Sequence, residues 1–600
     1  MTHARSKAAV AMAAILLASC TGIRQHRAES AVALPSTNEP QGLPGDAPIV
    51  LADPRVPTAP PPPPPPPADE SGAIVVTGMR SDNRGSYRPH RGQMTVFAPA
   101  QAAPIAANSP ALERRIAPPR GYAGRDRFTS VEQNPFRVVG EEPVSTFSID
   151  VDTASYGWMR ASLNRNVLPQ PDAVRTEEMI NYFPYDYALP RSVEQPFSTR
   201  VDVFPSPWTD GRKLVRVGIR GYQVNDAVRP RANLVFLIDT SGSMSPPDKL
   251  GLVKQSLAML LEQLDADDRV AIVTYAGSAG TTLEPTRAGE KGRILAAIEQ
   301  LGAGGSTAGA EGIRQAYALA ERNFDAEGVN RVILATDGDF NVGITDPEEL
   351  KGYVERQRAK GVFLSVLGFG MGNYNDALMQ VLAQNGNGNA AYIDTLNEAR
   401  KTLVEEATST LFPIARDVKI QVEFNPATVV EYRLVGYETR MLAREDFEND
   451  RVDAGDVGSG QTVTALYEIV PIGGPRANGD LRYARPVAPV VAGNSSEYGF
   501  VRIRYKQPRS ERSQEISTPI DREAEARSFA EAPQDARFAA GVASFAELLR
   551  GGRYAGAMTY DDVLRIVSAA RGDDAFGYRS EFIQLVRAAR TASAMARLDP

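Results

Sequence analysis

Oxygen-bearing side chains follow two strand-like apolar segments in the middle of the chain, and a hydroxyl lies in a glycine-rich loop between them. The candidate residues are Asp239, Ser241 and Ser243 after the first apolar segment, Thr307 in the loop, and Asp337 after the second segment. Three hydroxyls and two carboxylates suit a hard divalent cation such as Mg²⁺ or Mn²⁺, with water completing six-fold coordination. The pattern therefore predicts a divalent-metal site.

Histidine and cysteine are confined to the start of the chain. The single cysteine is Cys20, and the three histidines are His3, His26 and His90. The rest of the chain therefore cannot perform Ser-His-Asp or Cys-His nucleophilic catalysis, and it cannot hold a Cys/His zinc site or a disulfide. A metal-assisted hydrolase is the least favoured activity, because with no histidine a metal-site carboxylate would have to serve as general base.

The elements that must position these residues alternate between strands and helices. Residues 234–238 are a continuous apolar run, which is typical of a buried parallel strand. The next segment places six apolar residues at helical spacing: Leu250, Val253, Leu257, Leu260, Leu261 and Leu264. Further strands are predicted at 269–275, 331–335, 362–367 and 391–393, and further helices at 293–301, 310–321, 347–360, 376–384 and 397–410. This alternation predicts a doubly wound, Rossmann-like α/β sheet, whose ligand site lies beyond the carboxyl ends of its strands.

The motif D-x-S-x-S at 239–243, the threonine of the glycine-rich loop and the T-D-G at 336–338 resemble the metal-ion-dependent adhesion site of von Willebrand factor type A domains. The resemblance implies that Ser241, Ser243 and Thr307 bind the cation directly, while Asp239 and Asp337 act largely through water. It also implies an open coordination position that takes an Asp or Glu carboxylate from a protein ligand.

The segments on both sides of this domain are similar to a family of bacterial lipoproteins typified by YfbK. The similarity is carried by residues 146–156, 174–183, 446–455, 463–468 and 577–582, and it spans about 145 to 590. It indicates architecture and location more than activity. Within it, Asp150 and Asp152 alternate with apolar residues, so they mark either an interface or a solvated strand face.

The flanks are rich in period-two segments, such as 214–219 and 418–424. We predict one β-sandwich built from both flanks, carrying the A domain as an insertion with its metal face pointing away; the alternative is three domains in series. Phe538, Val542, Phe545 and Leu549 predict helices that cap this assembly. The predicted domains are a signal peptide (1–20), a Pro-rich tether (21–130), a β-rich region (140–232), the A domain (233–412), a second β-rich region (413–508) and a helical region (509–600).

The first residues predict a lipid anchor. Two basic residues precede the apolar stretch 8–17, and the tetrad 17–20 resembles a bacterial lipobox, in which Cys20 becomes the lipidated first residue. Thr21 in place of an aspartate favours the periplasmic face of the outer membrane. Eight consecutive prolines at 60–67 then predict a stiff segment within the tether. Residues 74–80 resemble a segment of TonB-dependent receptors, or form a short β-prone patch.

A net charge of −7 gives no overall basic field for nucleic acid. The sequence therefore predicts a membrane-anchored, non-enzymatic envelope protein that captures a protein ligand through a bound Mg²⁺ or Mn²⁺. The alternative is a cofactor for the assembly of an envelope complex.

Overall fold

The computed structural model describes residues 126–225, 229–306, 309–338, 347–479 and 496–596. Cys20, the proline run and the segment 74–80 lie outside these residues, and so does Thr307. Within the described ranges, no helix combines the length and the apolar character needed to cross a bilayer.

The described residues before the A domain form four strands and two helices. They are β1 (Arg137–Val138), β2 (Val144–Ser148), α1 (Ala154–Leu163), α2 (Thr176–Asn181), β3 (Phe197–Pro205) and β4 (Lys213–Gly221). The two helices were not predicted. Every residue of α1 is buried, so this helix lacks the polar face that gives an amphipathic period.

The A domain is a six-stranded sheet with helices on both faces. Its elements are β5 (Ala232–Asp239), α3 (Leu252–Leu261), β6 (Arg269–Tyr275), β7 (Ala279–Arg287), α4 (Lys291–Glu299), α5 (Gly309–Arg322), β8 (Val329–Thr336), α6 (Pro347–Ala359), β9 (Val362–Phe369), α7 (Asp376–Asn385), β10 (Ala390–Ile393), α8 (Leu396–Arg400) and α9 (Ala407–Leu411). The strand order is β10-β9-β8-β5-β6-β7, and all neighbours are parallel except the β6–β7 pair. This confirms the doubly wound α/β fold.

Two parts of the A domain differ from the prediction. The edge strand β7 was not predicted, because most of its residues are exposed or half-buried and carry no apolar period. The helix predicted at 397–410 is interrupted by a turn of π-helix at Lys401–Glu405, so α8 and α9 are separate.

After the A domain, residues 413–479 and 496–596 supply seven strands and three helices. They are β11 (Pro413–Phe424), β12 (Val429–Val435), β13 (Met441–Leu442), β14 (Gly455–Gly458), β15 (Thr462–Pro471), β16 (Glu497–Lys506), β17 (Ser513–Asp521), α10 (Gln534–Leu549), α11 (Tyr560–Ala569) and α12 (Tyr578–Ala596). At the start of α11, the Thr559 hydroxyl accepts a hydrogen bond from the Asp562 N–H, and the Asp562 carboxylate accepts one from the Thr559 N–H.

Strands from both flanks form two packed sheets. One sheet has the order β1-β12-β15-β4-β3, and the other has the order β13-β2-β11-β16-β17, with β14 paired to β11. Apolar side chains of both sheets share one core, including Phe147, Val217, Ile420, Tyr467 and Val501. The structure therefore contains the predicted β-sandwich, and the A domain is inserted between its strands β4 and β11.

The C-terminal helices cover the outer face of the first sheet. Phe538, Val542 and Phe545 are fully buried in a cluster with Phe204 and Leu214 of that sheet. Because α1 and α2 belong to the same cluster, the helical layer also joins the region before the A domain to the end of the described chain.

Residues 126–130, which the prediction placed in the tether, belong to the folded part of the chain. The Asp126 carboxylate accepts hydrogen bonds from the N–H groups of Gly372 (3.0 Å) and Tyr374 (2.8 Å). The Phe128 ring packs edge-on against Trp158, with ring centroids 4.7 Å apart. The tether prediction is therefore wrong for these residues.

Candidate metal centre

The end of β5 brings two serine hydroxyls together. The Ser241 N–H donates to Asp239 Oδ1 (2.8 Å), which tightens the loop into a short turn. The Ser241 and Ser243 Oγ atoms then lie 3.0 Å apart. In an octahedral site with metal–oxygen distances of about 2.1 Å, adjacent ligands are about 3 Å apart. The two hydroxyls therefore have the separation of neighbouring ligands of one small cation.

Asp337 lies at the same edge of the sheet, because β8 is the parallel neighbour of β5, with Ile238 opposite Ala335. Its side chain is fully buried. Gly338 follows with φ +97°, and a Cβ there would lie 2.5 Å from the Asn375 backbone nitrogen. Only glycine fits this position, so the T-D-G segment holds the carboxylate by backbone shape as well as by strand pairing.

Asp239 is fully buried and is held by two hydroxyl donors. Tyr275 and Thr336 each donate to its Oδ2 at 3.2 Å. Burial raises the pKa of Asp239 to about 6; hydrogen bonds from Ser241 act in the opposite direction, and the charge of Asp337 raises it further. A bound cation would favour the ionised carboxylate at this position.

The glycine-rich loop also reaches this edge. The Gly242 N–H donates to the Gly305 carbonyl (3.1 Å), and the Gly304 N–H donates to the Thr240 carbonyl (2.8 Å). Thr307 itself lies outside the described residues. The structure therefore brings together Asp239, Ser241, Ser243 and Asp337, and it places the residues just before Thr307 beside them.

Sequence reasoning missed one charged group in this site. Lys249 Nζ donates to Asp337 Oδ2 at 2.8 Å, and both side chains are almost completely buried. Lys249 lies in a turn of π-helix, Pro247–Gly251, immediately before α3. A basic residue in the first turn of a helix interacts unfavourably with the helix dipole. The lysine at this position could therefore have indicated a specific anionic partner.

The donor set fits a hard divalent cation. All four described side chains offer oxygen, and half-buried Ser243 lies on the accessible side of the site. When bound, a divalent cation would supply a Lewis-acidic centre that binds a carboxylate oxygen. Ser241 and Ser243 would hold it, and Asp239 would stay oriented by its hydroxyl donors.

A second acidic cluster lies where the flank before the A domain meets β10. The carboxylates of Asp150, Asp152 and Glu178 are buried, and one oxygen of each lies within 4.8 Å of the others. Arg440 forms ion pairs with Asp150 (2.8 Å) and Asp152 (3.2 Å). Asp152 Oδ1 also accepts a hydrogen bond from the Ala390 N–H (2.7 Å).

The interface interpretation of Asp150 and Asp152 is therefore confirmed, and the solvated strand face is wrong. Strand β2 ends at Ser148, before either aspartate. Because Arg440 comes from the sandwich and Ala390 from the A domain, these carboxylates join the two through a compensated ion-pair network.

Comparison with known families assigns these regions. The von Willebrand factor type A domain family matches residues 233–406. The family described as "Uncharacterized protein YfbK, C-terminal" matches residues 409–592, and a further von Willebrand factor family matches residues 122–216.

Individual relatives agree with these matches. YfbK of Escherichia coli (strain K12) is 43% identical over 473 residues, which are 78% of this chain and 81% of YfbK. Human inter-alpha-trypsin inhibitor heavy chain H3 is 31% identical over 173 residues, covering 27% of this chain and 19% of the human protein.

Two solved structures are also similar to parts of the chain. The von Willebrand factor type A protein from Catenulispora acidiphila has a TM-score of 0.38 and 15% identity, covering 68% of this chain and 91% of that one. Proximal thread matrix protein 1 from the mussel byssus, solved with a zinc-occupied MIDAS motif, has a TM-score of 0.26 and 23% identity, covering 32% of this chain and 48% of that one.

Proposed function

Because this chain belongs to the YfbK family and contains a von Willebrand factor type A domain, we propose that it is a lipid-anchored envelope protein that captures a protein ligand through a bound divalent cation. The cation is Mg²⁺ or Mn²⁺, held directly by Ser241, Ser243 and Thr307. Asp239 and Asp337 act largely through water. The ligand completes the coordination sphere with an Asp or Glu carboxylate.

The 3.0 Å separation of the Ser241 and Ser243 hydroxyl oxygens carries this proposal. Hydroxyls bring no negative charge to the cation, so a cation held mainly by hydroxyls remains under-neutralised. Such a cation attracts a carboxylate from a partner. Half-buried Ser243 leaves the outer side of the site accessible to that partner.

Ligand capture accounts for the site better than catalysis does. The carboxylates of Asp239 and Asp337 are buried and already accept hydrogen bonds, from Tyr275 and from Lys249 respectively. Neither is free to take a proton from an attacking water without breaking these contacts. The proposed role therefore requires binding and no chemical step.

The proposed location of the protein rests on the residues around Cys20. We propose that Cys20 is lipidated and that the chain is attached to the periplasmic face of the outer membrane through a Pro-rich tether.

Calorimetric titration of the full chain with MgCl₂ and with MnCl₂ tests the metal site. We expect one site in the wild type and none in Ser243→Ala. The matched control is Ser245→Ala, because the Ser245 hydroxyl lies in the same loop and donates only to the Gly242 carbonyl (2.8 Å). Identical titrations of the wild type and Ser243→Ala would refute the assignment of this site.

Ligand capture is tested by affinity purification from solubilised envelope, with and without EDTA. A partner that binds through the cation should be lost with EDTA and with Ser243→Ala, and retained with Ser245→Ala. A partner retained in all conditions binds elsewhere and contradicts the proposed function.

A further inference from the structure

A cavity of about 360 Å³ lies between the A domain and the sandwich. It is separate from the metal centre, and its volume falls in the range of small-molecule sites. Its wall includes Arg220, Arg331, Ser365, Asn389 and Thr402. They come from β4, β8, β9, the segment before β10 and the π-helical turn before α9.

The side chain of Arg331 is buried and makes one hydrogen bond within the described residues. Its side chain lies in the sheet of the A domain with 3% of its surface exposed. Nη1 donates to Ser365 Oγ at 2.6 Å, and Nε has no hydrogen-bond partner among the described residues. A buried guanidinium that is not fully paired is costly, so its retention calls for a reason other than stability.

Electrostatics support the same view of Arg331. Burial lowers its pKa to about 10, and the charge of Asp456 acts against this shift. Desolvation therefore outweighs the compensation that the surrounding protein supplies.

Two more unsatisfied polar atoms belong to residues that line the cavity. The Nε of Arg220 and the hydroxyl of Thr402 have no hydrogen-bond partner within the described ranges. The acidic residues of the wall are already engaged, because Glu405 accepts from the Tyr578 hydroxyl and Glu406 pairs with Lys401. The Arg220 Nε and the Thr402 hydroxyl are themselves closed to solvent, so the positive charge of the wall is that of the Arg220 and Arg331 guanidinium groups, while its carboxylates already have cationic or hydroxyl partners.

We propose that this cavity binds a small soluble anion through a carboxylate or phosphate group that pairs with the guanidinium groups of Arg331 and Arg220. Oxyanions accept charge-assisted hydrogen bonds from guanidinium groups, so such a ligand would compensate the desolvated charge of Arg331. Because Arg220 belongs to the sandwich and Arg331 to the A domain, the bound anion would link the two.

The position of the site gives this ligand a structural effect. The π-helical turn Lys401–Glu405 and α9 form part of the wall, and α9 leads directly into β11 of the sandwich. The chain returns from the A domain to the sandwich through α9, so an anion in the cavity would hold this connection in place.

Calorimetry and thermal melting of the full chain test the site, with sodium phosphate and sodium acetate as probes. The titrations are made in EDTA, which keeps a carboxylate from binding at the metal centre, and sodium chloride at equal ionic strength is the control. We expect saturable binding and a higher melting temperature with at least one probe. The probe that binds identifies the group as phosphate or carboxylate.

Arg331→Met is the decisive variant. It should weaken the binding of the active probe by about tenfold or more, since it removes a charge-assisted hydrogen bond. Without the probe, it should melt at or above the wild-type temperature, because it replaces an incompletely paired buried charge by an apolar side chain. The matched control is Arg269→Met, which changes an exposed arginine on strand β6 of the same sheet and should leave binding unchanged.

Several results would overturn the proposal. They are no saturable binding of either probe, equal binding by Arg331→Met, or a lower melting temperature of Arg331→Met without the probe. Lys249→Met separates this site from the metal centre, because it removes the ammonium group there: it should retain binding of the probe, and loss of binding in this variant would place the anion at the metal centre.

Discussion

Lys249→Met tests how the buried lysine affects the metal centre. Methionine preserves the length of the aliphatic stem, which lies against Gly370, where an added Cβ would come within 2.4 Å of Lys249 Cε. The substitution removes the ammonium group that lies 2.8 Å from Asp337 Oδ2. Without a cation, it therefore leaves a buried carboxylate without its ion-pair partner.

The expected effect depends on the cation. Removing one partner of a buried ion pair costs about 3–5 kcal/mol, so the free energy of unfolding in EDTA should fall by about 3 kcal/mol. In saturating Mg²⁺ the cation compensates Asp337, and we expect a loss of about 1 kcal/mol. By linkage, the difference of about 2 kcal/mol means that the variant binds Mg²⁺ about 30-fold more tightly.

Thermal melting in EDTA and in MgCl₂ measures the two stabilities, and calorimetric titration of MgCl₂ measures the change in affinity. Lys254→Met is the matched control, because Lys254 lies on α3 and its exposed Nζ donates to the Glu299 carbonyl (2.9 Å). Asp337→Asn in the Lys249→Met background should recover stability in EDTA, since no unpaired charge remains. Equal destabilisation with and without Mg²⁺, or weaker Mg²⁺ binding by Lys249→Met, would show that Lys249 and the cation do not compensate the same carboxylate.

Three further predictions concern other parts of the chain. Intact mass spectrometry should show a mature chain that begins at acylated Cys20, and Cys20→Ser should abolish the modification; a soluble product cleaved elsewhere would contradict the lipid anchor. In EDTA, the free energy of unfolding of the wild type relative to Asp239→Asn should fall by about 2–3 kcal/mol as the pH rises from 4 to 7. Burial raises the pKa of Asp239 to about 6 in the folded state, so its stabilising effect is present below the unfolded pKa and is lost as the pH rises through the folded pKa. A pH-independent difference between the two proteins would contradict this prediction. Arg440→Leu should lower stability by about 3–5 kcal/mol, measured by denaturant unfolding, since it leaves Asp150 and Asp152 without their arginine, whereas exposed Arg451→Leu should have little effect; equal stabilities would refute the joining role of the network.

The grouping of the proposed metal residues could be predicted because its signal is local. Asp239, Ser241 and Ser243 follow one apolar run, and Asp337 follows another, so parallel pairing of the two strands is sufficient to bring them together. The strand predicted at 269–275 has the same bounds as β6 for a similar reason, since a buried strand is a short, continuous apolar segment.

The sequence was sufficient to predict that the flanks form a β-sandwich, but not how its strands are paired in register. Phe147 of β2 lies opposite Ile420 of β11, and the whole A domain separates them in the chain. Period-two alternation shows which face of a strand is buried, and it carries no information about which distant strand is the partner.

Patterns of a few consecutive residues were therefore sufficient to predict the α/β domain, the motif residues and the strand-rich flanks. The fold was needed to show that Lys249 pairs with Asp337, that Arg440 pairs with Asp150 and Asp152, and that Arg331 lines a cavity. A charged residue in a sequence looks the same whether it is solvated or buried. Its partner and its desolvation are properties of chain segments that meet only on folding.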